Sequence, residues 1–194
     1  MKHIVIATYN EGKLEEIKPS LLSFGYTVHS MGDFPHMKIK EDGKTLKDNA
    51  IIKARAVSQI TNFKVLADDS GLEVEALEGA PGVHSARFSS SGTDADNNAR
   101  LLKLMEDKTN RRAWFKTVMV LKNEAGEERV FEGRLDGYIH TASEGLEGFG
   151  YDPVFIPAGH NQTLAQLGDA VKRSISHRQL ALNRLTAHLR REDD

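Results

Sequence analysis

Short apolar runs that stop abruptly at polar, turn-forming residues set the rhythm of this chain. His3 to Ala7 is one such run, ending at Thr8-Tyr9-Asn10, and its length and β-branched content predict a buried strand followed by a turn. From about Glu11 the spacing changes, and Leu14, Ile17, Leu21 and Leu22 recur at helical intervals on one face. Pro19 falls inside that stretch and predicts a kink or a split into two pieces. Tyr26 to His29 reads as a second strand, and Met31 to Gly43 as a loop carrying Glu41 and Asp42. Thr45, with Asp48 three residues on, can cap a second helix whose apolar stripe is Leu46, Ala50, Ala54 and Val57. Asn49 and Lys53, four apart, share an adjoining face.

Lys64 to Ala67 is the next strand, and it delivers Asp68 and Asp69 at its C-terminal end. Ala76 to Gly92 is rich in Gly, Ser and Pro and reads as loop, followed by a third helix from about Asp94 to Glu106. Ala113 to Leu121 and Glu128 to Ile139 form a hairpin about the turn Asn123-Glu124-Ala125-Gly126. A glycine-rich loop runs from Ala142 to Asp152, then a short strand from Val154 to Ile156. The last helix begins near Ser176, with Gln179 completing a capping box. Leu182, Leu185 and Leu189 are its core or dimer contacts, and Arg190 to Asp194 is a polar tail that frays. Early alternation of strands and helices followed by a hairpin predicts an α/β fold, a mixed sheet flanked by helices.

A length of 194 residues suits one sizeable domain or two tightly joined lobes. No apolar run approaches the roughly 18 residues of a membrane-spanning helix, and the N-terminus lacks the apolar region of a secretory signal. These features lead us to expect a soluble cytoplasmic protein. The chain has no cysteine, so any metal is held by oxygen or histidine. A formal net charge of -2 is wrong for a general nucleic-acid binder.

Three segments carry candidate chemistry. The turn Thr8-Tyr9-Asn10-Glu11-Gly12-Lys13 joins a strand to a helix N-terminus, where backbone N–H groups and the helix dipole favour an anion. Lys13 adds a charge able to reach along a polyphosphate. The spacing is not that of a Walker A loop, and an ordinary polar turn with a surface lysine is the competing reading. Asp68-Asp69-Ser70-Gly71 offers paired carboxylates suited to a hydrated Mg²⁺ that also holds phosphate oxygens. All four residue types also favour a plain turn. On extended chain the two aspartates face opposite ways, so at most one lines a given pocket closely. Phe149-Gly150-Tyr151-Asp152 combines rings for stacking with a carboxylate that can accept from a base N–H, and Gly145, Gly148 and Gly150 permit close backbone approach. His177 and Arg178 sit in the first turn of the last helix, where the dipole disfavours cations, which hints at a bound anion or carbonyl oxygen. Lys172 is placed to join them.

In order along the chain these segments read Ala-Thr-x-Asn-x-x-Lys at 7–13, Asn-Ala-x-x-Lys-Ala at 49–54, Ala-Asp-Asp-Ser-Gly-Leu at 67–72, Ser-Ala-Arg at 85–87, Gly-Phe-Gly-Tyr-Asp-Pro at 148–153 and Ile-Ser-His-Arg at 175–178. The chain thereby resembles the inosine triphosphate pyrophosphatase-like enzymes over essentially its whole length. The departures are His84 for a usual Tyr, Asp48 for a common Glu and Ser174 for a usual Ala; none falls on a residue tied to chemistry. The resemblance implies a single nucleoside triphosphate pyrophosphatase domain over residues 1–194. It implies an elongated mixed sheet with the active site in a cleft between two lobes, a homodimer, and Mg²⁺ as cofactor. The implied reaction is hydrolysis of ITP, dITP and XTP to the monophosphate and pyrophosphate, with no nucleic-acid or membrane partner. Carried over by position, Thr8, Tyr9, Asn10, Glu11, Gly12, Lys13 and Lys53 hold phosphates. Glu41 and Asp69 bind the metal, Asp69 is also the proton acceptor, and Ser70 touches substrate. Phe149, Gly150, Tyr151, Asp152, Lys172, His177 and Arg178 line the base pocket.

Overall fold

The protein is described by a computed structural model covering residues 2–193. Six strands, β1 (Lys2–Ile6), β2 (Tyr26–Ser30), β3 (Lys64–Val74), β4 (Arg112–Lys122), β5 (Glu128–Ile139) and β6 (Phe155–Pro157), lie in one sheet in the order β2-β1-β3-β4-β5-β6. The sheet is mixed. β1 runs parallel to both β2 and β3, as strand–helix–strand connections require, while β5 and β6 are antiparallel. The helices are α1 (Glu11–Ser23), α2 (Leu46–Val57), α3 (Asp94–Leu104), α4 (Leu164–Leu167), α5 (Asp169–Ile175) and α6 (His177–Asp193). None of the described helices is long and apolar enough to cross a membrane.

The chain divides into two compact units. The first comprises residues 1–69, 117–133 and 178–194; the second comprises 70–116 and 134–177. The core of the first unit joins Ile4 and Ile6 of β1, Ile17 and Leu21 of α1, and Leu182, Leu185 and Leu189 of α6. The apolar spacing of α6 is thus core spacing, and so is that of α1 at Ile17 and Leu21, with Leu14 packed against them; Leu22, expected on the same face, is 51 % exposed. The core of the second gathers Leu72 and Val74 of β3, Leu101 of α3, Phe115 of β4, and Val154 and Phe155.

Three local expectations change. α1 runs unbroken through Pro19, which is exposed. The ring removes one backbone donor, and the carbonyl it frees belongs to Glu15, an exposed residue that water can reach. The run Asp68-Asp69-Ser70-Gly71 is neither a turn nor a strand end, because β3 continues to Val74. Turn propensity there is overridden by packing and by charge compensation. A Cβ on Gly71 would collide with the Gly82 carbonyl, so only glycine allows that approach. The polar tail is also helical as far as residue 193, where Glu192 pairs with Lys64 at 3.0 Å and with His188 one turn back.

Candidate functional site

In the first unit, β1 ends at Ile6 and the chain turns into α1. Asn10 caps the helix, its Oδ1 accepting from Lys13 N at 3.1 Å, while its own N–H donates to Thr8 Oγ1 at 3.1 Å. This is the expected strand–turn–helix, with the first amides of α1 presented at its positive end. Tyr9, in the same turn, is bonded to the next loop. Its hydroxyl accepts from Met37 N at 3.0 Å and donates to Met37 O at 3.4 Å, tying down the loop that carries Glu41.

Pleating sends Asp68 and Asp69 to different partners. Asp68, fully buried on its side chain, receives Lys13 Nζ at 3.1 and 3.2 Å on its two oxygens. Arg178 Nε lies 3.5 Å from Asp68 Oδ2, and Thr117 Oγ1 approaches the same oxygen at 3.5 Å. The Arg178 guanidinium also pairs with Glu16 through Nη1. Arg178, at 2 % exposure, is therefore ion-paired to two carboxylates of the first unit. Asp69 instead faces α2. Lys53 Nζ lies 3.6 Å from Asp69 Oδ1 and 2.9 Å from Glu41 Oε2, so one ammonium holds both carboxylates expected to bind metal. Asn49, one turn earlier on α2, accepts from Gly43 N at 2.9 Å.

The electrostatics follow from burial and these partners. Burial pushes the Asp69 carboxyl above the usual 3.8, and Lys53, Lys13 and Asn49 offset it only in part. Burial pulls Lys13 below 10.5 more strongly than Asp68 restores it, with Lys53 and Arg178 adding repulsion. For Lys53, burial alone would lower the pKa, but Asp69, Asp68 and Glu41 outweigh it and the net shift is upward. Asp69 Oδ2 is buried without a hydrogen-bond partner among the described residues. An acceptor left in that state is costly unless something is meant to bind it.

In the second unit, Asp152 and Lys172 are each 3 % exposed and joined at 2.6 Å. Asp152 Oδ2 also accepts from Phe149 N at 2.9 Å, and the Lys172 ammonium lies 4.0 Å from the Phe149 ring centroid. Gly148 has a positive φ of 79°, and a Cβ there would strike the Asp152 carboxylate. His177, 4 % exposed, stacks on Phe115 with centroids 4.8 Å apart and planes 11° from parallel. Tyr151 donates to Ser85 O at 2.7 Å, and Ser70 follows Asp69 on β3.

Within the first unit, then, the structure gathers Lys13, Glu41, Lys53 and Asp69. Within the second it gathers Phe149, Asp152 and Lys172, with His177 held by Phe115. Glu16, Thr117 and Phe115 were not anticipated. Glu16 had a faint signal, since it lies three residues after Lys13 on the same helix face. Thr117 and Phe115 had none, being ordinary strand residues in sequence.

Comparison with known proteins matches the Ham1 family over residues 4–188. A dITP/XTP pyrophosphatase of Desulforamulus reducens is 45% identical over 192 residues, covering 97% of this chain and 96% of that protein. The dITP/XTP pyrophosphatase of Bacillus licheniformis is 43% identical over 193 residues, covering 97% and 98%. The structure of the Staphylococcus aureus Ham1 protein superposes with a TM-score of 0.90 at 40% identity, covering 98% of this chain and 100% of that one. With near-complete coverage in sequence and in structure, this chain belongs to the Ham1 family.

Proposed function

We propose that the protein hydrolyses non-standard purine nucleoside triphosphates (ITP, dITP and XTP) to the monophosphate and pyrophosphate, clearing them from the nucleotide pool. The observation that carries this reading is the half-buried Asp69, set with Lys53 and Glu41 in the unit that also holds Lys13 and the N-terminus of α1. The names of the relatives point the same way.

In this reading Thr8 to Lys13 and Lys53 take the triphosphate. Lys13 is suited to it because burial leaves its charge under-compensated, and an anionic phosphate restores the balance. The unpartnered Asp69 Oδ2 and the Glu41 carboxylate are hard oxygen donors that fit Mg²⁺. When bound, the ion neutralises phosphate charge and acidifies water. Water attacks the α-phosphorus, the bond to the β-phosphate bridging oxygen breaks, and pyrophosphate leaves with the electron pair. Asp69 accepts the proton of that water, a role its raised pKa favours. Ser70 contacts the substrate. Phe149 supplies a stacking face, with Gly150 and Tyr151 forming its loop. Asp152, Lys172, His177 and Arg178 read the base. Donors suited to a C6 carbonyl are left unpaired when adenine presents an amino group there. The protein acts as a homodimer on free nucleotides in the cytoplasm, without nucleic acid or membrane.

Pyrophosphate release from ITP, dITP, XTP, GTP and ATP under one condition tests the reading. Turnover of the first three well above ATP supports it, and no release from any of them overturns it. Lys13→Ala is expected to weaken binding and turnover about equally for ITP and XTP, since a phosphate contact carries no information about the base. A change in their ratio of about tenfold or more, roughly 1.4 kcal/mol, would instead put Lys13 beside the ring.

The raised pKa of Asp69 also has a consequence for stability. A carboxyl that holds its proton more tightly when folded contributes fully below its unfolded pKa, and that contribution is lost as pH rises through the folded value. With divalent metal chelated, Asp69→Asn is therefore expected to be more stable than wild type at neutral pH, the gain shrinking toward pH ~4. Urea midpoints of both proteins across that range measure it, and a pH-independent difference would contradict it.

A further inference from the structure

Phe149 and Asp152 flank Gly150, and Gly150 is held on both sides by one helix. Its N–H donates to Asp94 Oδ2 at 2.7 Å, and its carbonyl accepts from Asn98 Nδ2 at 3.0 Å. Asp94 and Asn98 are four residues apart, on one face of the first turns of α3. Gly150 has a φ of 64°, a left-handed conformation open to glycine, whose backbone is otherwise free to adopt many others. Both of its backbone polar groups are thus fixed by side chains of α3. The residue before Asn98 on the helix, Asn97, accepts from Ser89 N at 2.7 Å and donates toward Ser85 O and Ala86 O at 3.4 and 3.3 Å. Ser85 O is the atom that accepts from the Tyr151 hydroxyl. The loop is therefore tied to α3 directly at Gly150 and indirectly at Tyr151.

Asn98 is an unusual residue to bury for stability alone. It is 5 % exposed, and its Oδ1 has no hydrogen-bond partner among the described residues. A half-satisfied buried amide is unfavourable for folding compared with an apolar side chain. Among the described residues its side chain bonds only the Gly150 carbonyl. We infer that Asp94 and Asn98 are positioning residues for base selection. They fix the backbone at Gly150 so that Phe149 and Asp152 meet the purine in one geometry. This rests on the assignment of Phe149 and Asp152 to the base. Placement errors well under an ångström weaken a directional contact, and they do so selectively for the substrate whose contacts are directional.

The test is steady-state kinetics of Asn98→Ala and Asp94→Ala on ITP and ATP, with a thermal melt of each variant. Asp94 is exposed, so its truncation removes the acceptor for Gly150 N–H and reports even where Asn98→Ala fails to fold. The expected result is a rise in KM for ITP larger than any fall in kcat, and a fall in the ITP/ATP ratio of kcat/KM of about three- to tenfold, the worth of one hydrogen bond. Asn98→Gln should not restore the ratio, because its amide sits one methylene too far out. A merely structural role would lower the melting temperature and leave the ratio at its wild-type value, which would overturn the inference. Phe149→Ala in the same assay separates the two levels. If it moves the ratio and the α3 variants do not, the positioning role fails alone. If Phe149→Ala leaves the ratio unchanged, the base-site assignment itself fails.

Discussion

Asp69→Asn is expected to lower kcat by roughly 10²–10⁴, the usual contribution of a general base, while the protein still folds. Asparagine keeps the shape of the side chain. It cannot accept a proton and is a poor cation ligand. The loss should therefore fall mainly on kcat, and excess Mg²⁺ should not recover it. Single-turnover pyrophosphate release from ITP reads the chemical step directly. A variant that keeps near wild-type turnover would remove Asp69 from the mechanism. Lys53 should not compensate, because its ammonium is held by both Glu41 and Asp69 in the wild-type arrangement.

Arg178→Ala is expected to have two separable effects. The guanidinium is buried and pairs with Asp68 and Glu16. Truncating one member of a buried ionic group typically costs about 3–5 kcal/mol, because the carboxylates left behind lose their compensation. For a chain of this size that corresponds to a melting-temperature drop on the order of 6–20 °C. Lys13 still faces Asp68, which places the expectation toward the lower end. Adding Glu16→Gln should recover part of the loss, since it neutralises one of the stranded charges; no recovery would mean that packing of the Arg178 stem is what matters. The second effect is on selectivity. If Arg178 also donates to the C6 carbonyl, the ITP/ATP ratio of kcat/KM should narrow by about 10- to 150-fold at temperatures where the variant is folded, from a lost hydrogen bond worth roughly 1.5–3 kcal/mol. An unchanged ratio would confine Arg178 to the Glu16–Asp68 cluster.

Much of this molecule is legible one residue at a time. The runs at His3 to Ala7 and Lys64 to Ala67 are short, continuous and β-branched, and β1 and β3 stand there. Thr45 and Asp48 form the capping box that their spacing predicts, and Asn10 caps α1. Such features depend on neighbours within four residues, so the local chain determines them. The alternation rule also held for the two aspartates. Asp68 and Asp69 face different partners because they are adjacent on a strand, and a sequence shows adjacency.

What the sequence could not decide was every outcome that depends on partners distant along the chain. Asp68-Asp69-Ser70-Gly71 reads as a turn or a strand end, yet β3 passes straight through it. Its charges are met by Lys13 and Lys53, from other elements, and Gly71 is pressed against Gly82. Arg178 looked like a base-reading donor because it sits at a helix N-terminus beside His177. In the folded chain its guanidinium pairs with Glu16, 162 positions away in sequence, and lies against Asp68. The part of α3 in holding Gly150 is likewise invisible in a run of Asp and Asn residues that reads as a surface helix start. Sequence by itself determined the strands, the caps, the order of the motifs and hence the family; local propensity and short-range spacing are sufficient for those. Only the tertiary structure decided which carboxylate is compensated, which is left with an unpartnered oxygen, and which helix holds the Phe149–Asp152 loop, because burial and pairing are set by groups that folding alone brings together.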